Sequence, residues 1–118
     1  MRLTSEQFRR LVAAALDELP KEFHRLMKNV EVVVEERPPA EVERRFEGLV
    51  LGLYQGVPLS RRGTGTTQLP DKISIYQRNI ERICSSPAEV RERVRTTIMH
   101  EVGHHFGLNE KQLRDAGY

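Results

Sequence analysis

Cysteine is nearly absent from the sequence, and so are long apolar runs. Cys84 is the only cysteine among 118 residues, so no disulfide can form within the chain, and a reducing compartment is expected. No stretch approaches the roughly 18 consecutive apolar residues of a membrane helix, and the first residues lack the apolar core of a signal peptide. These shortages favour a cytoplasmic protein without a membrane partner.

An excess of charge of one sign is also missing. Lysine and arginine total 19 and aspartate and glutamate total 17, which gives a formal net charge of +2, and the two signs alternate along most of the chain. Aromatic residues make up only 6% of the chain and are not interleaved with the arginines. A nucleic-acid partner is therefore not expected. The sequence does not indicate an oligomeric state.

The hydrophobic and charged fractions of the chain are those of one small folded domain. Hydrophobic residues make up 38% and charged residues 31% of the chain, which suits a modest core beneath a heavily charged surface. We therefore expect a single domain over residues 1–118.

Apolar residues follow helical spacing at the start of the chain and form strand-like runs further on. Thr4 and Gln7 make a capping-box pattern before an amphipathic first helix. Three runs rich in β-branched or alternating apolar residues predict strands: Asn29–Glu36, Leu49–Tyr54 and Asp71–Gln77. The third of these strands is expected to bury one face.

A long amphipathic helix begins at a clear start signal. Ser86 suits the N-cap, Pro87 suits the first turn, and Glu89 completes a capping box. Apolar residues then recur every four positions and are predicted to face the core: Val90, Val94, Ile98, Val102 and Phe106. The expected fold class is α+β, with a small mixed sheet of about three strands packed against the N-terminal helix and this long helix.

An HExxH motif runs from His100 to His104 near the end of the long helix. Residues four apart share one helix face, so the two imidazoles can bind one Zn²⁺, whose nitrogen ligands lie at about 2.0–2.1 Å. Glu101 is then placed to act as general base toward water at the metal. Gly107 permits a sharp turn, after which Glu110 can fold back as a third metal ligand.

Each motif residue also has a plainer interpretation. His100 and His104 can be polar residues on a helix face, with Glu101 simply solvated. Histidine is uncommon in this chain, and three of its 4 histidines fall within the motif region, which favours the metal site. His105 lies about 100° around the helix from His104 and is interpreted as a core-side residue or one that supports the ligands. Gly103 leaves room for a neighbouring segment to approach the helix.

Several residues outside the motif have two possible roles. Tyr76 either donates its hydroxyl toward the site or packs against the sheet. Cys84 is predicted to pack as a small apolar residue, with a fourth-ligand role as the alternative. His24 is interpreted as a surface or half-buried residue.

The segment SRRGTGTTQ, between Leu59 and Pro70, lacks periodic apolar residues. One interpretation is a loop that grips a phosphate or substrate through Arg61, Arg62 and the glycines. The other is a connection within a hairpin. We favour the connection, because the Lys-Ser/Thr ending of a P-loop is missing.

The stretch HEVGHHFGLNE, with the order of elements before it, is similar to the mini-zincins, a group of small bacterial zincin-like metallopeptidases. This resemblance covers nearly the whole chain. It implies zinc bound by His100 and His104, Glu101 as general base, and Glu110 as third ligand. Glu110 stands where metzincin-like patterns place His or Asp, so the chain departs from the pattern at this ligand.

The function implied is zinc-dependent hydrolysis of peptide bonds, with a peptide or an unfolded protein segment as substrate. The substrate is expected to lie extended along an edge of the sheet, for which we suggest the third strand, Lys72–Gln77. The alternative is a zinc-binding scaffold or interaction module with little or no hydrolytic activity. Glu101 favours the enzyme, because a structural site needs no general base and is normally closed by four protein ligands.

Overall fold

Three strands form one mixed sheet, against which the longest helix packs, in a computed structural model that describes residues 1–57 and 69–115. The elements in chain order are α1 (Ser5–Asp17), α2 (Lys21–Leu26), β1 (Val30–Glu35), α3 (Ala40–Arg45), β2 (Gly52–Gln55), β3 (Asp71–Tyr76), α4 (Gln77–Arg82), α5 (Pro87–His105) and α6 (Glu110–Asp115). The predicted α+β class is confirmed. Within these residues no helix has the length and apolar character needed to cross a membrane.

The two helix starts predicted from capping patterns are both formed. Thr4 Oγ1 accepts a hydrogen bond from Gln7 N at 3.1 Å, and Gln7 Oε1 accepts one from Thr4 N at 2.9 Å. Ser86 Oγ accepts from Glu89 N at 3.2 Å, but the predicted capping box is not completed there, because the Glu89 carboxylate accepts from Ser85 N at 2.9 Å, one residue before the N-cap. The bonds from Thr4 N, Gln7 N and Glu89 N satisfy backbone donors that the start of a helix leaves unpaired.

The core lies between α1, α5 and one side of the sheet. Its members from α1 and β3 include Phe8, Val12, Ala15, Ile73 and Ile75. The predicted stripe of α5 is buried at Val90, Val94, Ile98 and Val102, and Met99 is buried beside it. The predicted burial of Phe106 is wrong. This side chain is 40% exposed, because α5 ends at His105 and Phe106 is its C-cap residue.

The strand order is β1-β3-β2, which corrects the expectation for the edge of the sheet. β1 pairs in parallel with β3, from Val30↔Asp71 to Glu35↔Tyr76, and β2 pairs with β3 in antiparallel fashion. The chain crosses from β1 through α3 to β2 and then returns as β3 between the two. The third strand is therefore central, both of its sides are buried, and β2 is the edge strand beside α5.

A glycine turn ends α5 and leads into α6. Gly107 has a φ of +75°, and the N–H groups of Gly107 and Leu108 donate to the carbonyls of His104 and Gly103 at 3.2 and 2.7 Å. This bonding pattern is a Schellman motif, which suits glycine because side chains disfavour positive φ. The next helix starts with reciprocal bonds between Asn109 and Gln112, at 2.9 and 2.8 Å.

Away from this turn, α4 buries a carboxylate. Glu81 accepts hydrogen bonds from Leu3 N at 2.9 Å, from Gln77 Nε2 at 3.0 Å and from Arg78 Nη1 at 2.7 Å. Burial alone would raise the pKa of Glu81, but the hydrogen bonds from Gln77, Leu3 and Arg78 outweigh it and lower the pKa below its ordinary value. The charged carboxylate therefore ties the start of the chain to α4.

Candidate metal centre

His100 and His104 lie side by side on α5. Their ring centroids are 4.0 Å apart and the planes are inclined by 57°. His104 is exposed and His100 is half-buried, so the pair opens toward solvent on one side. Two neutral imidazoles this close fit the nitrogen donor set of a zinc site.

Glu101 faces the edge strand. Its Oε1 accepts a hydrogen bond from the backbone N–H of Tyr54 at 2.9 Å. In the antiparallel pairing of β2 with β3, the bond from Tyr76 N to Leu51 O makes 51 and 76 a bonded pair, so the backbone groups of Gly52 and Tyr54 point away from β3. The carboxylate of the motif therefore meets the outward amide of β2, and its other oxygen, Oε2, has no hydrogen bond within residues 1–57 and 69–115.

Glu110 is the first residue of α6 and is exposed. In the part of the chain that the structure describes, no three His, Cys, Asp or Glu side chains form a group that could hold a metal. The structure thus brings His100 and His104 together but does not place Glu110 with them. Glu110 as third ligand stays a prediction.

The position of α6 depends on a close contact with α5. Leu113 is fully buried, and a Cβ added at Gly103 would lie 2.5 Å from Leu113 Cδ2. The sequence predicted that Gly103 leaves room for a neighbouring segment, and that segment is α6. Because Glu110 is on the same short helix as Leu113, this contact also determines where Glu110 lies.

A second cluster ties the end of α5 to β2, and sequence reasoning missed it. The His105 ring stacks on Tyr54, with centroids 3.8 Å apart and planes 19° apart. Tyr54 Oη donates to Asp71 Oδ2 at 2.7 Å, and Val57 N donates to Asp71 Oδ1 at 2.8 Å. His105 thus lies on the sheet side of α5, where it supports the motif helix. The antiparallel pairing of β2 and β3 brings Tyr54 and Asp71 together, and a strand pattern does not reveal that pairing.

A groove of about 360 Å³ lies between α5 and the edge strand, and we call it the α5–β2 groove. Arg93, Thr97, His100 and Glu101 line it from the helix. The opposite wall is formed by β2 and the segment before it, including Phe46, Glu47, Leu49 and Gly52. His100 and Glu101 therefore open onto the same groove as the outward edge of β2.

Tyr76, Cys84 and His24 are not among the residues that line the α5–β2 groove with His100. Tyr76 is buried, and its pKa is raised by burial and by the negative charges of Glu35 and Glu101. Cys84 is buried in the core, as predicted for a small apolar residue, and burial raises its pKa. His24 is exposed, and its Nε2 lies 2.8 Å from Leu16 O. The predicted loop with Arg61 and Arg62 lies outside the described residues.

An HExxH helix beside the edge strand of a small mixed sheet is an arrangement of the zincin class. A sequence model described as zincin-like metallopeptidase matches residues 27–118, which is most of the chain. The chain therefore belongs to the zincin-like metallopeptidase family.

One solved structure similar to this fold is that of a conserved hypothetical protein from Thermo thermophilus. The two chains are 25% identical, the TM-score is 0.56, and the match covers 88% of this chain and 94% of the other. No curated protein matches the chain.

Proposed function

We propose that the protein is a zinc-dependent peptidase in which His100, His104 and Glu110 hold the metal and Glu101 is the general base. The observation that carries the proposal is that His100 and Glu101 open onto one groove beside a sheet edge. Zinc bound there would supply Lewis-acid chemistry, which polarises a carbonyl and makes water more acidic. Two histidines and a glutamate are a known ligand set of catalytic zinc, and three ligands leave one position open.

Glu101 has the geometry of an oriented base. The Tyr54 N–H holds Oε1 at 2.9 Å, which leaves Oε2 to accept a proton from water. The hydroxyl of that water bonds to the carbonyl carbon of the substrate, the C–N bond breaks, and Glu101 gives the proton to the leaving nitrogen. The hydrogen bond from Tyr54 thus orients the carboxylate during both proton transfers.

The substrate is a peptide or an unfolded protein segment that adds to the edge of β2. The N–H and C=O of Gly52 point outward from the sheet and can pair with an extended chain, as in other cases of strand addition. β2 spans only Gly52–Gln55, so the backbone pairing is short. Side-chain contacts in the α5–β2 groove must therefore supply part of the binding.

A zinc-binding scaffold with little hydrolytic activity is the competing function. Zinc analysis and a peptide library together distinguish the two. The peptidase binds about one zinc per chain and cleaves library peptides, whereas the scaffold binds zinc and cleaves nothing.

The assignment of the metal ligands has its own test. His100→Ala and His104→Ala should each abolish zinc binding, and Glu110→Ala should weaken it. His24→Ala is the matched control, because His24 bonds at Leu16 O on α1 and should leave zinc content unchanged. Zinc retained by both motif variants would overturn the assignment.

A further inference from the structure

The α5–β2 groove has an apolar wall. Phe46 and Leu49 line it and remain 40% and 39% exposed, although both are large hydrophobic side chains. Single exposed apolar residues are common, but two that face one groove present an apolar surface to a ligand. The half-buried side chains of Leu51 and Leu53 also line the groove.

Arg93 contributes a cation to the same groove. Among the described residues that line it, Arg93 carries the only permanent positive charge. The neighbouring arginines of α5 are paired, Arg91 with Glu18 at 3.2 Å and Arg95 with Glu92 at 2.7 Å. Arg93 is exposed and forms no ion pair within the described ranges, so its guanidinium is available to a ligand.

The spacing along α5 sets how far this cation lies from the histidines. Arg93 precedes His100 by two turns, which is about 10 Å at 1.5 Å per residue. An extended peptide advances about 3.3 Å per residue, so about three residues span this distance. A carboxylate on the ligand at that spacing can reach Arg93 while the bond to be cleaved lies at His100.

We propose that the α5–β2 groove selects peptides that carry a bulky apolar side chain near the cleaved bond and a carboxylate about two or four residues from that side chain, because side chains on one face of an extended chain recur every second residue. Phe46 and Leu49 contact the apolar side chain, and Arg93 binds the carboxylate. This selectivity rests on the proposed peptidase function. The carboxylate comes either from an acidic side chain or from the C-terminus of the peptide, since both present the same group.

The binding test uses one leucine-containing peptide, acetylated and amidated so that it carries no carboxylate. One set of variants moves a single Asp through the positions on either side of the leucine, and another variant has a free C-terminus. Binding is measured by fluorescence with the Glu101→Gln protein, so that hydrolysis does not interfere. We expect a carboxylate at one spacing to tighten binding roughly tenfold. The peptide variant that binds more tightly shows whether the carboxylate belongs to an Asp side chain or to the C-terminus.

Substitutions in the protein then test whether Arg93 causes the tighter binding of the peptide that carries a carboxylate. Arg93→Gln should remove the tenfold gain and leave binding of the carboxylate-free peptide unchanged. Arg91→Gln makes the same change on the same helix outside the groove and should keep the gain.

The role of the apolar wall is tested with a peptide in which serine replaces the leucine. This peptide should bind more weakly than the leucine peptide to the protein that keeps Phe46 and Leu49. The double variant Phe46→Ser and Leu49→Ser should lose most of this preference for the leucine peptide over the serine peptide. Both side chains are partly exposed, so the variant should fold, and a thermal melt checks this. A preference that survives in the folded double variant would overturn the role of the wall.

The outcomes separate this inference from the proposed function. Equal binding of peptides with and without a carboxylate, or an unchanged gain in Arg93→Gln, overturns the selectivity. Wild-type protein that cleaves no peptide overturns the peptidase proposal, whereas the binding measurements still decide the selectivity. Cleavage of all peptides at equal rates leaves the peptidase in place and contradicts the selectivity.

Discussion

The backbone N–H of Tyr54 donates a hydrogen bond to Oε1 of Glu101 across 2.9 Å. This bond joins the general base of the proposed mechanism to the strand that is proposed to bind substrate. It occupies the outward N–H of Tyr54, so we expect an added peptide to pair with the outward N–H and C=O of Gly52. The position of β2 against α5 is therefore expected to affect both catalysis and substrate binding.

Gly52→Ala should move β2 away from α5. An added Cβ would lie 2.9 Å from Thr97 Cγ2 and 3.0 Å from the backbone oxygen of Ser74, and the backbone oxygen cannot move aside easily. We expect a loss of about 1–3 kcal/mol in the free energy of unfolding, measured by urea denaturation. Thr97→Ser removes Cγ2 and should recover part of this loss in the double variant. Additive effects of the two substitutions would contradict the contact.

Tyr54→Phe should loosen the cluster at the end of α5. The substitution removes the hydrogen bond from Tyr54 Oη to Asp71 Oδ2 but keeps the ring that stacks on His105. We expect a loss of about 1–2 kcal/mol in the free energy of unfolding. Asp71→Asn, combined with Tyr54→Phe in a double-mutant cycle, should show that the two effects are not additive. Independent effects would mean that this bond does not stabilise the cluster.

Gly103→Ala should weaken zinc binding although Gly103 is not a proposed metal ligand. The new Cβ would press on Leu113 at 2.5 Å and displace α6, which carries Glu110. Residues that support metal ligands typically change affinity about 10- to 100-fold, and we expect a loss in this range in a zinc titration. Leu113→Ala should restore part of the affinity in the double variant. Unchanged zinc affinity in Gly103→Ala would contradict the role of Glu110 as ligand.

The free energy of unfolding should decrease at acidic pH because the Glu81 carboxylate becomes protonated. Its pKa is lowered in the folded protein, so its contribution is complete above the ordinary value of 4.5 and is lost as the pH falls through the lower folded value. Glu81→Gln should reduce the free energy of unfolding at neutral pH and flatten its decline below pH 4.5. Urea denaturation at several pH values measures this. Equal slopes for both proteins would show that Glu81 is not a source of the acid sensitivity.

Local signals predicted much of this fold. The capping patterns at Thr4 and Ser86 determine where α1 and α5 begin, because the bonds involved lie within a few residues of one another. The repeat of apolar residues in α5 identified its buried face up to Val102. It failed at Phe106, because the Schellman turn at Gly107 ends the helix before that position.

The order in which the strands pair could not be predicted from the sequence. The Asp71–Tyr76 strand has an apolar pattern that suits an edge or a central strand, and only the crossover through α3 places it between β1 and β2. The bond from Tyr54 to Glu101 and the bond from Tyr54 to Asp71 both depend on that order. For the same reason the motif predicted His100 and His104 as neighbours but not the strand that faces Glu101.

The sharpest test of the proposed mechanism is the rate of peptide cleavage by zinc-loaded Glu101→Gln relative to wild type. The substitution keeps the size of the side chain but removes the carboxylate that accepts the proton. A general base typically contributes about 10²–10⁴-fold, so we expect kcat/KM to fall by at least about 100-fold while zinc content is unchanged. A zinc-loaded Glu101→Gln protein that cleaves peptides at the wild-type rate would contradict the mechanism.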